Sequence, residues 1–327
     1  MICWFSFILK RNERNEEMSG VDSRLAVYVL KRLLLAVVTV FVICVFTFGA
    51  MQAVPGGPFS SEKALDPATV EALNQRYGLN DPVYIQFFRW MGNLLKGDFG
   101  VSLKTGREIS AIIGESFPIS ARLGLMAMAL ATVCGMLLGC IAALMRNRWP
   151  DRTIVFFSTL FTAVPSFVLA TLLLLLFCIR LQWVPVWNPN KPNYLLPVLS
   201  LAAYPMAYIT RLTKTGMLDV LGQDYIRTAR AKGVSPWRVI FGHALRNALI
   251  PVITYAGPQI AYIITGSMVV ETIFTVGGIG NKFITAINDR DYTMIMATTV
   301  FLAVIMVVAN LLSDLLYKAA DPRIQLD

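Results

Sequence analysis

Long apolar runs alternate with short polar segments along most of the 327-residue chain. Six of these runs approach or exceed the roughly 20 apolar residues that a helix needs to cross a bilayer. They occupy positions 33–54, 119–145, 153–179, 195–212, 249–270 and 293–317. The pattern predicts an all-α integral membrane protein with six transmembrane helices.

The distribution of charge predicts how these helices are oriented. Only 15% of the residues are charged and 56% are hydrophobic, whereas soluble domains contain about a quarter charged residues. The net charge of +9 would suggest nucleic-acid binding in a soluble chain, but here it reflects Lys and Arg held on the cytoplasmic side. Basic residues cluster before the first run and at 146–152 and 211–246, so we place both termini in the cytoplasm. The short outer loops contain only Arg180, Lys191, Lys282 and Arg290.

Four segments follow from this pattern. We assign 1–24 to a cytoplasmic N-terminal extension, 25–54 to the first transmembrane helix, 55–118 to an extracytoplasmic segment and 119–327 to a transmembrane core. The core includes a cytoplasmic loop at 214–247. Met18 is an alternative start, because residues 1–17 carry a charge run with no signal-peptide cleavage site.

The extracytoplasmic segment contains two pairs of Asp and Pro that are typical of helix starts. Asp66-Pro67 and Asp81-Pro82 predict short helices at 67–77 and 82–96. The second helix aligns an apolar stripe that suits the membrane surface, a partner, or packing within the protein's own outer segment. The stripe comprises Val83, Phe87, Trp90 or Met91, and Leu94.

The basic loop is predicted to form two helices joined by a tight turn, at about 222–232 and 236–247. Gly233 suits a left-handed turn past the first helix, while Ser235 can cap the second and Pro236 fits its first turn. The first helix is amphipathic, with charged residues opposite an apolar set. The apolar set is Ile226, Ala229, Ala231 and Val234.

Out of context, a basic helix-turn-helix suggests DNA binding. The flanking apolar spans favour a cytoplasmic loop of a membrane protein instead, since a soluble DNA-binding domain does not need them. We therefore expect no nucleic-acid partner.

The fifth apolar run is interrupted by Pro251 and by Gly257-Pro258. Such breaks free backbone groups that need neighbours or a wet cavity. Tyr255, Gln259 and Tyr262 are therefore candidates for lining a translocation path, and packing between helices is the alternative.

Sites for energy conversion are not evident in the sequence. The segment 277–282 resembles a phosphate loop only in its glycines, because Asn281 and Phe283 stand at the wrong positions. His243 is the only histidine, so neither a histidine-rich metal site nor a Ser-His-Asp triad can be assembled. Among carboxylates near the spans, Glu271 and Asp314 lie at span ends, which favours structural or interfacial roles over proton relay. We expect a non-enzymatic subunit that binds no cofactor or metal and draws energy from a partner.

Residues 224–251, DYIRTARAKGVSPWRVIFGHALRNALIP, closely resemble the coupling loop of binding-protein-dependent ABC importer permeases, in particular the peptide and nickel branch. Four further stretches are similar to the same branch and its B-type subunits. They are VPGGPF (54–59), YGLNDPVYIQFFRWMGNLLKGDFGVS (77–102), ITGSMVVETIFTVGGIG (264–280) and YKAADPRI (317–324).

This resemblance implies a type I ABC importer permease fold in a bacterial inner membrane. It implies a heterodimer with a second permease subunit, two cytoplasmic ATPase subunits that bind ATP and Mg, and an extracytoplasmic peptide-binding protein. The residues implied in coupling to the ATPase are Asp224, Arg227, Thr228, Ala229, Arg230, Lys232, Gly233, Ser235, Pro236 and Arg238. We place Glu271, Gly277, Gly278 and Gly280 on an external loop facing the binding protein.

One departure from the family pattern concerns the start of the coupling loop. Importer loops generally begin Glu-Ala-Ala, and this chain has Arg227, Thr228 and Ala229 at those positions, so the first acidic contact is in doubt.

Oligopeptides are the expected substrate, with dipeptides, nickel chelates or glutathione as alternatives. An ion-coupled carrier is the rival from another class, and it would require buried carboxylates near the bilayer midplane.

Overall fold

The computed structural model describes residues 30–53, 71, 75, 78 and 80–320, with side chains up to residue 314. The described chain is almost entirely helical, and its extended pairing is limited to isolated bridges such as Val101 with Glu108. The N-terminal extension at 1–24, the 54–59 stretch and most of the first outer helix at 67–77 lie outside the described residues.

Twelve helices are described. The first six are α1 (Leu30–Ala53), α2 (Val83–Leu95), α3 (Ile109–Leu144), α4 (Trp149–Ala163), α5 (Ser166–Arg180) and α6 (Leu195–Leu221). The remaining six are α7 (Asp224–Ala231), α8 (Arg238–Ala248), α9 (Ile250–Ile264), α10 (Met268–Ile273), α11 (Ile279–Asn288) and α12 (Tyr292–Ala320). The end of α5 and the start of α8 are wound as π-helix.

Four single helices, α1, α3, α6 and α12, are long and apolar enough to cross a membrane. Two further pairs qualify if each is one bent span: α4 with α5, bent by 103°, and α8 with α9, bent by 51°. Pro165 precedes α5 and Pro251 lies in the first turn of α9. Because proline lacks an N–H and clashes with the preceding turn, it favours a bend at these points. The predicted all-helical membrane fold is confirmed.

Helices α3 and α6 extend well beyond one end of their predicted spans. Helix α3 begins at Ile109 rather than 119 and contains Pro118, while α6 continues to Leu221 rather than ending at 212 and contains Pro205. Buried residues on both sides of each proline hold the helix together despite the missing hydrogen bond. Residues 213–221, the first part of the polar segment that follows 212, are therefore a continuation of α6.

Glycines allow α3 to cross its neighbours at close range. A Cβ on Gly139 would lie 2.5 Å from the Thr213 Cβ of α6, and a Cβ on Gly135 would lie 2.8 Å from an Ile209 methyl. On the same helix, a Cβ on Gly124 would lie 2.7 Å from the Ile263 carbonyl oxygen of α9. Small residues bring helix backbones together in membranes, where dispersion replaces the hydrophobic effect as the driving force.

Helix α2 confirms the helix predicted at 82–96 and packs beside α1. The Phe87 and Trp90 rings lie 5.3 and 6.1 Å from the Phe48 ring of α1. Gln52 donates to Gln86 at 3.1 Å. The aromatic part of the predicted stripe thus packs against the protein's own first span.

Candidate functional site

The turn between α7 and α8 is built by the backbone of Gly233. Its φ of +76° lies in the left-handed region. The N–H of Val234 donates to the Ala229 carbonyl at 3.2 Å, and the N–H of Gly233 donates to the Arg230 carbonyl at 3.0 Å. These two bonds form a Schellman motif, which satisfies the last carbonyls of α7. The predicted helix stop at Gly233 is confirmed.

The second helix of the pair starts where the sequence predicts, although its first turns are unusual. Helical backbone begins at Pro236, and the Ser235 carbonyl accepts a hydrogen bond from the Val239 N–H at 3.0 Å. From Arg238 to Ala244 the helix is π-wound, a feature that often occurs at functional positions.

An apolar cluster fastens the helix pair to the transmembrane helices. Ile226 of α7 is fully buried beside Met217 of α6 and Val239 of α8, and Ala143 at the end of α3 belongs to the same cluster. The Asn247 side chain also donates to the Tyr225 hydroxyl at 2.8 Å, which joins α8 to α7. The amphipathic prediction holds for Ile226, but Ala231 is exposed because it lies at the helix end on the opposite side.

The outer surface of this pair is charged and accessible. The charged and polar residues predicted to couple to an ATPase are all exposed. Arg227 and Asp224 approach to 3.5 Å, but their side chains are 75% and 96% exposed, so the contact fixes neither of them. The exposed set is Asp224, Arg227, Thr228, Arg230, Lys232, Ser235, Pro236 and Arg238.

Two aromatic residues on the same surface escaped the sequence-based prediction. Trp237 is 71% exposed, and its ring stacks on Phe241 at 5.5 Å and 8°. Large exposed aromatic residues indicate protein or membrane contact surfaces. Trp237 and Phe241 are four residues apart directly after Pro236, a spacing that places them on one face of a helix. This signal was hard to notice because apolar residues are common throughout the chain.

A largely buried ion pair joins α4 to α6. The Lys214 Nζ of α6 is 2.5 Å from the Asp151 Oδ1 of α4, and these side chains are 22% and 6% exposed. The Asn147 N–H donates to the other carboxylate oxygen at 2.9 Å. The pair ties the basic 146–152 turn to the helix that continues into α7.

The three predicted path residues lie on one side of α9 but differ in environment. Tyr255 is half-buried, with its ring 4.4 Å from Tyr208 of α6. Gln259 is half-buried and Tyr262 is 64% exposed. Helix α9 runs without interruption through Gly257-Pro258, and the bend occurs at Leu249 instead. A single missing hydrogen bond at Pro258 does not break a helix whose flanking residues Val252 and Ala261 are buried.

Beyond the C-terminal end of α9, Glu271 organises the glycine-rich loop. Its carboxylate is fully buried and accepts from the Asn281 N–H at 3.1 Å, while the Ser120 hydroxyl of α3 accepts from the Ile279 N–H at 2.8 Å. Burial raises the pKa of Glu271, and hydrogen bonds from Ser120 and the loop backbone partly oppose this shift. The Glu271 carboxylate thus accepts a hydrogen bond from the first turn of α11.

The three loop glycines are packed rather than freely exposed. Gly278 and Gly280 are buried, and Gly277 is half-buried. A Cβ on Gly277 would lie 3.3 Å from the Trp187 ring, and a Cβ on Gly280 would lie 2.9 Å from the Met268 Cα. Any contact between this loop and another protein would therefore involve its neighbours more than Glu271 itself.

Comparison with known proteins identifies the family. Residues 135–326 match the family described as binding-protein-dependent transport system inner membrane component, and residues 25–124 match the N-terminal part described for such membrane components. The chain belongs to this family. The resemblance noted for its coupling loop is thereby confirmed for nearly the whole chain.

Several curated relatives are similar over almost their full length. The dipeptide transport system permease protein DppB of Bacillus subtilis is 42% identical over 92% of this chain and 99% of its own length. The oligopeptide transport system permease protein OppB of Haemophilus influenzae is 42% identical, and that of Salmonella typhimurium is 41% identical. Each of these two matches covers 91% of this chain and 99% of the relative. The likeness to B-type peptide permeases is confirmed.

Solved structures with the same fold are more distant in sequence. A MetNI methionine ABC transporter in an inward-facing conformation matches with a TM-score of 0.53 and 16% identity, over 65% of this chain and 97% of that chain. An amino acid ABC transporter solved with histidines matches with a TM-score of 0.51 and 14% identity, over 64% of this chain and 94% of that chain. At these identities the comparison shows the fold alone, which is that of type I ABC importer permeases.

Proposed function

We propose that this chain is a permease subunit of an ATP-driven importer that moves oligopeptides across a bacterial inner membrane. In this proposal, it forms a heterodimer with a second permease and receives peptide from an extracytoplasmic binding protein. Two cytoplasmic ATPase subunits bind ATP and Mg, and this chain carries no ATPase site of its own. The names of its full-length relatives support the peptide substrate.

The observation that carries the coupling role is the anchored and accessible α7–α8 pair. Its inner face is fixed to the ends of α3 and α6 through Ile226 and Met217, whereas its outer face presents exposed cations and the Trp237–Phe241 stack. A partner that grips the outer face can therefore move the transmembrane helices as the ATPases close. Two states, each favoured by a different nucleotide or by loaded binding protein, are sufficient for such transport.

The test is to purify the chain with the products of its neighbouring genes and to measure ATP hydrolysis and peptide uptake in proteoliposomes. We expect ATPase subunits to copurify and loaded binding protein to stimulate hydrolysis. The isolated chain should hydrolyse no ATP above a mock preparation. Uptake that follows an ion gradient and needs no ATP would contradict the proposal.

Dipeptide import is the second candidate, because two of the similar relatives are named as dipeptide permeases. Competition of a labelled tripeptide by unlabelled peptides of increasing length separates the two. Strong competition by longer peptides supports oligopeptide import, whereas competition by dipeptides alone supports the second candidate.

A further inference from the structure

A stripe of aromatic and cationic side chains runs along one side of α6. Tyr204, Tyr208 and Arg211 follow one another at helical spacing, so they share one face. Tyr204 and Tyr208 stack with ring centroids 6.4 Å apart, and the Arg211 Cζ lies 5.9 Å from the centroid of the Tyr208 ring. Tyr255 of α9 packs on Tyr208 at 4.4 Å. We call these four residues the tyrosine–arginine stripe.

This stripe cannot face lipid in the assembled protein at low cost. Tyr204 is 46% exposed and Arg211 is exposed on the lone chain, within a helix that is long enough to cross the membrane. Ionisable side chains in such helices face a water-filled cavity or a protein neighbour. The predicted path residues Gln259 and Tyr262 extend the polar surface along α9.

Arg211 differs from the other cations at the cytoplasmic end of α6. Lys214, one turn nearer the cytoplasm, is neutralised by Asp151. Among the described residues Arg211 forms no ion pair, and its guanidinium contacts the ring of Tyr208. The guanidinium therefore lies beside Tyr208, one turn nearer the interior of the predicted span, and no carboxylate among the described residues pairs with it.

We infer that the tyrosine–arginine stripe is a subsite for the C-terminal carboxylate of the transported peptide, with Arg211 as the group that binds it. This inference rests on the proposed function and specifies its substrate contact. An Arg guanidinium matches the planar geometry of a carboxylate, and cation–π contact with Tyr208 orients it. Every peptide with a free C-terminus carries this carboxylate whatever its sequence, and tyrosine rings accept varied side chains. The stripe thus suits passage of many peptides.

The experiment measures uptake of a peptide, and of the same peptide with an amidated C-terminus, by the reconstituted complex. Both are supplied at concentrations that saturate the binding protein. The measured quantity is the ratio of uptake rates, acid over amide. Arg211→Met should lower this ratio about tenfold, as expected for loss of a charge-assisted hydrogen bond. Arg211→Lys should lower it less because the charge remains, Tyr208→Phe should preserve it, and Tyr208→Leu should lower it with the cation still present.

Arg152→Met is the matched control, because it removes an exposed arginine from α4 on the same side of the membrane and should leave the ratio unchanged. An unchanged ratio in Arg211→Met would overturn the inference and indicate that Arg211 is an ordinary surface cation. Equal loss for both peptides together with weak subunit assembly would overturn it in favour of a contact with the second permease. A wild-type complex that imports neither peptide would refute the proposed function itself, whereas import with a ratio insensitive to Arg211 refutes only the subsite.

Discussion

At the scale of single residues, the backbone angle of Gly233 sets the direction in which α8 leaves α7. A Cβ at this position would meet no atom within 4 Å, so a substitution acts only through the left-handed φ. That conformation costs an L-residue about 1–2 kcal/mol, and more if the side chain is branched. This is too little to unfold the packed transmembrane helices but enough to alter the helix pair.

We therefore predict that Gly233→Ala lowers peptide uptake per ATP hydrolysed, and that Gly233→Val lowers it further. Membrane insertion and docking of the binding protein should be nearly unchanged. Gly222→Ala is the control, because Gly222 has an ordinary helical backbone at the other end of α7. The measurement is uptake and ATPase rate in the same proteoliposomes. Normal coupling in Gly233→Val would show that the turn has no part in transmission.

The Asp151–Lys214 pair provides a second prediction at this scale. Removing one partner leaves the other charge poorly solvated, whereas replacing both leaves no orphan charge. Asp151→Asn and Lys214→Met should each destabilise the subunit by about 2–3 kcal/mol, less than for a fully buried pair because Lys214 is partly exposed. The double variant should be more stable than either single variant in thermal unfolding of the detergent-solubilised complex.

The exposed pair Arg107–Glu115, at 53% and 64% exposure, offers a control for the pairing effect. Glu115→Gln should change stability by less than the error of the measurement. Additive losses in the double variant Asp151→Asn/Lys214→Met would contradict a specific interaction between the two side chains.

Glu271 should make the stability of the outer loop depend on pH. Its pKa is raised in the folded protein by burial, so the folded state binds the proton more tightly than the unfolded chain. Its contribution to stability is then complete below the ordinary carboxyl pKa of about 4.3 and is lost as pH rises through the raised value. Glu271→Gln, which is uncharged at every pH, should flatten the dependence of the unfolding temperature on pH in this window. Parallel curves for the wild type and the variant would exclude Glu271 as the titrating group.

At the scale of elements, the close crossing of α3 with α6 depends on Gly139. Its Cβ would collide with Thr213 and with the Thr210 carbonyl at 2.6 Å, so Gly139→Ala must separate the helices. Gly114 lies on the same helix with nothing within 4 Å of a Cβ, and Gly114→Ala should be neutral or slightly stabilising. We expect a lower unfolding temperature and lower yield of assembled complex for Gly139→Ala alone. Equal behaviour of the two alanine variants would show that the crossing tolerates a wider spacing.

Local sequence signals located many of these elements, and tertiary packing accounts for what they missed. Asp81-Pro82 and Gly233 marked helix ends because capping and left-handed turns are local requirements. Pro118 and the polar residues after 212 suggested helix ends that do not exist, since burial on both sides overrides propensity. The Asp151–Lys214 pair joins residues 63 positions apart, so no local pattern could reveal it. The stacking of Tyr208 on Tyr255 depends likewise on how two separate helices meet.

At the scale of the whole molecule, the remaining structural requirement is that both bent helix pairs cross the membrane. The sharper bend, 103° between α4 and α5, is also compatible with a re-entrant loop. Six crossings with both termini inside require α4–α5 to carry the chain outward and α6 to carry it back. This arrangement can be tested by determining on which side of the membrane three exposed residues lie: Arg148, Asn190 and Ser235.

Single cysteines at these three positions, in a chain whose five native cysteines are replaced, test this arrangement. In intact cells a membrane-impermeant maleimide should label Asn190→Cys only, and Arg148→Cys and Ser235→Cys should react after permeabilisation. Assembly with the ATPase subunits should then protect Ser235→Cys, which lies on the outer surface of the α7–α8 pair, while Arg148→Cys serves as the unprotected cytoplasmic reference.

If Arg148 and Asn190 reacted from the same side, α4–α5 would be a re-entrant loop and the six-span arrangement would be wrong. If Ser235 stayed equally reactive in the assembled complex, the ATPase would not cover this end of the helix pair, and the coupling surface would have to lie elsewhere on the cytoplasmic face.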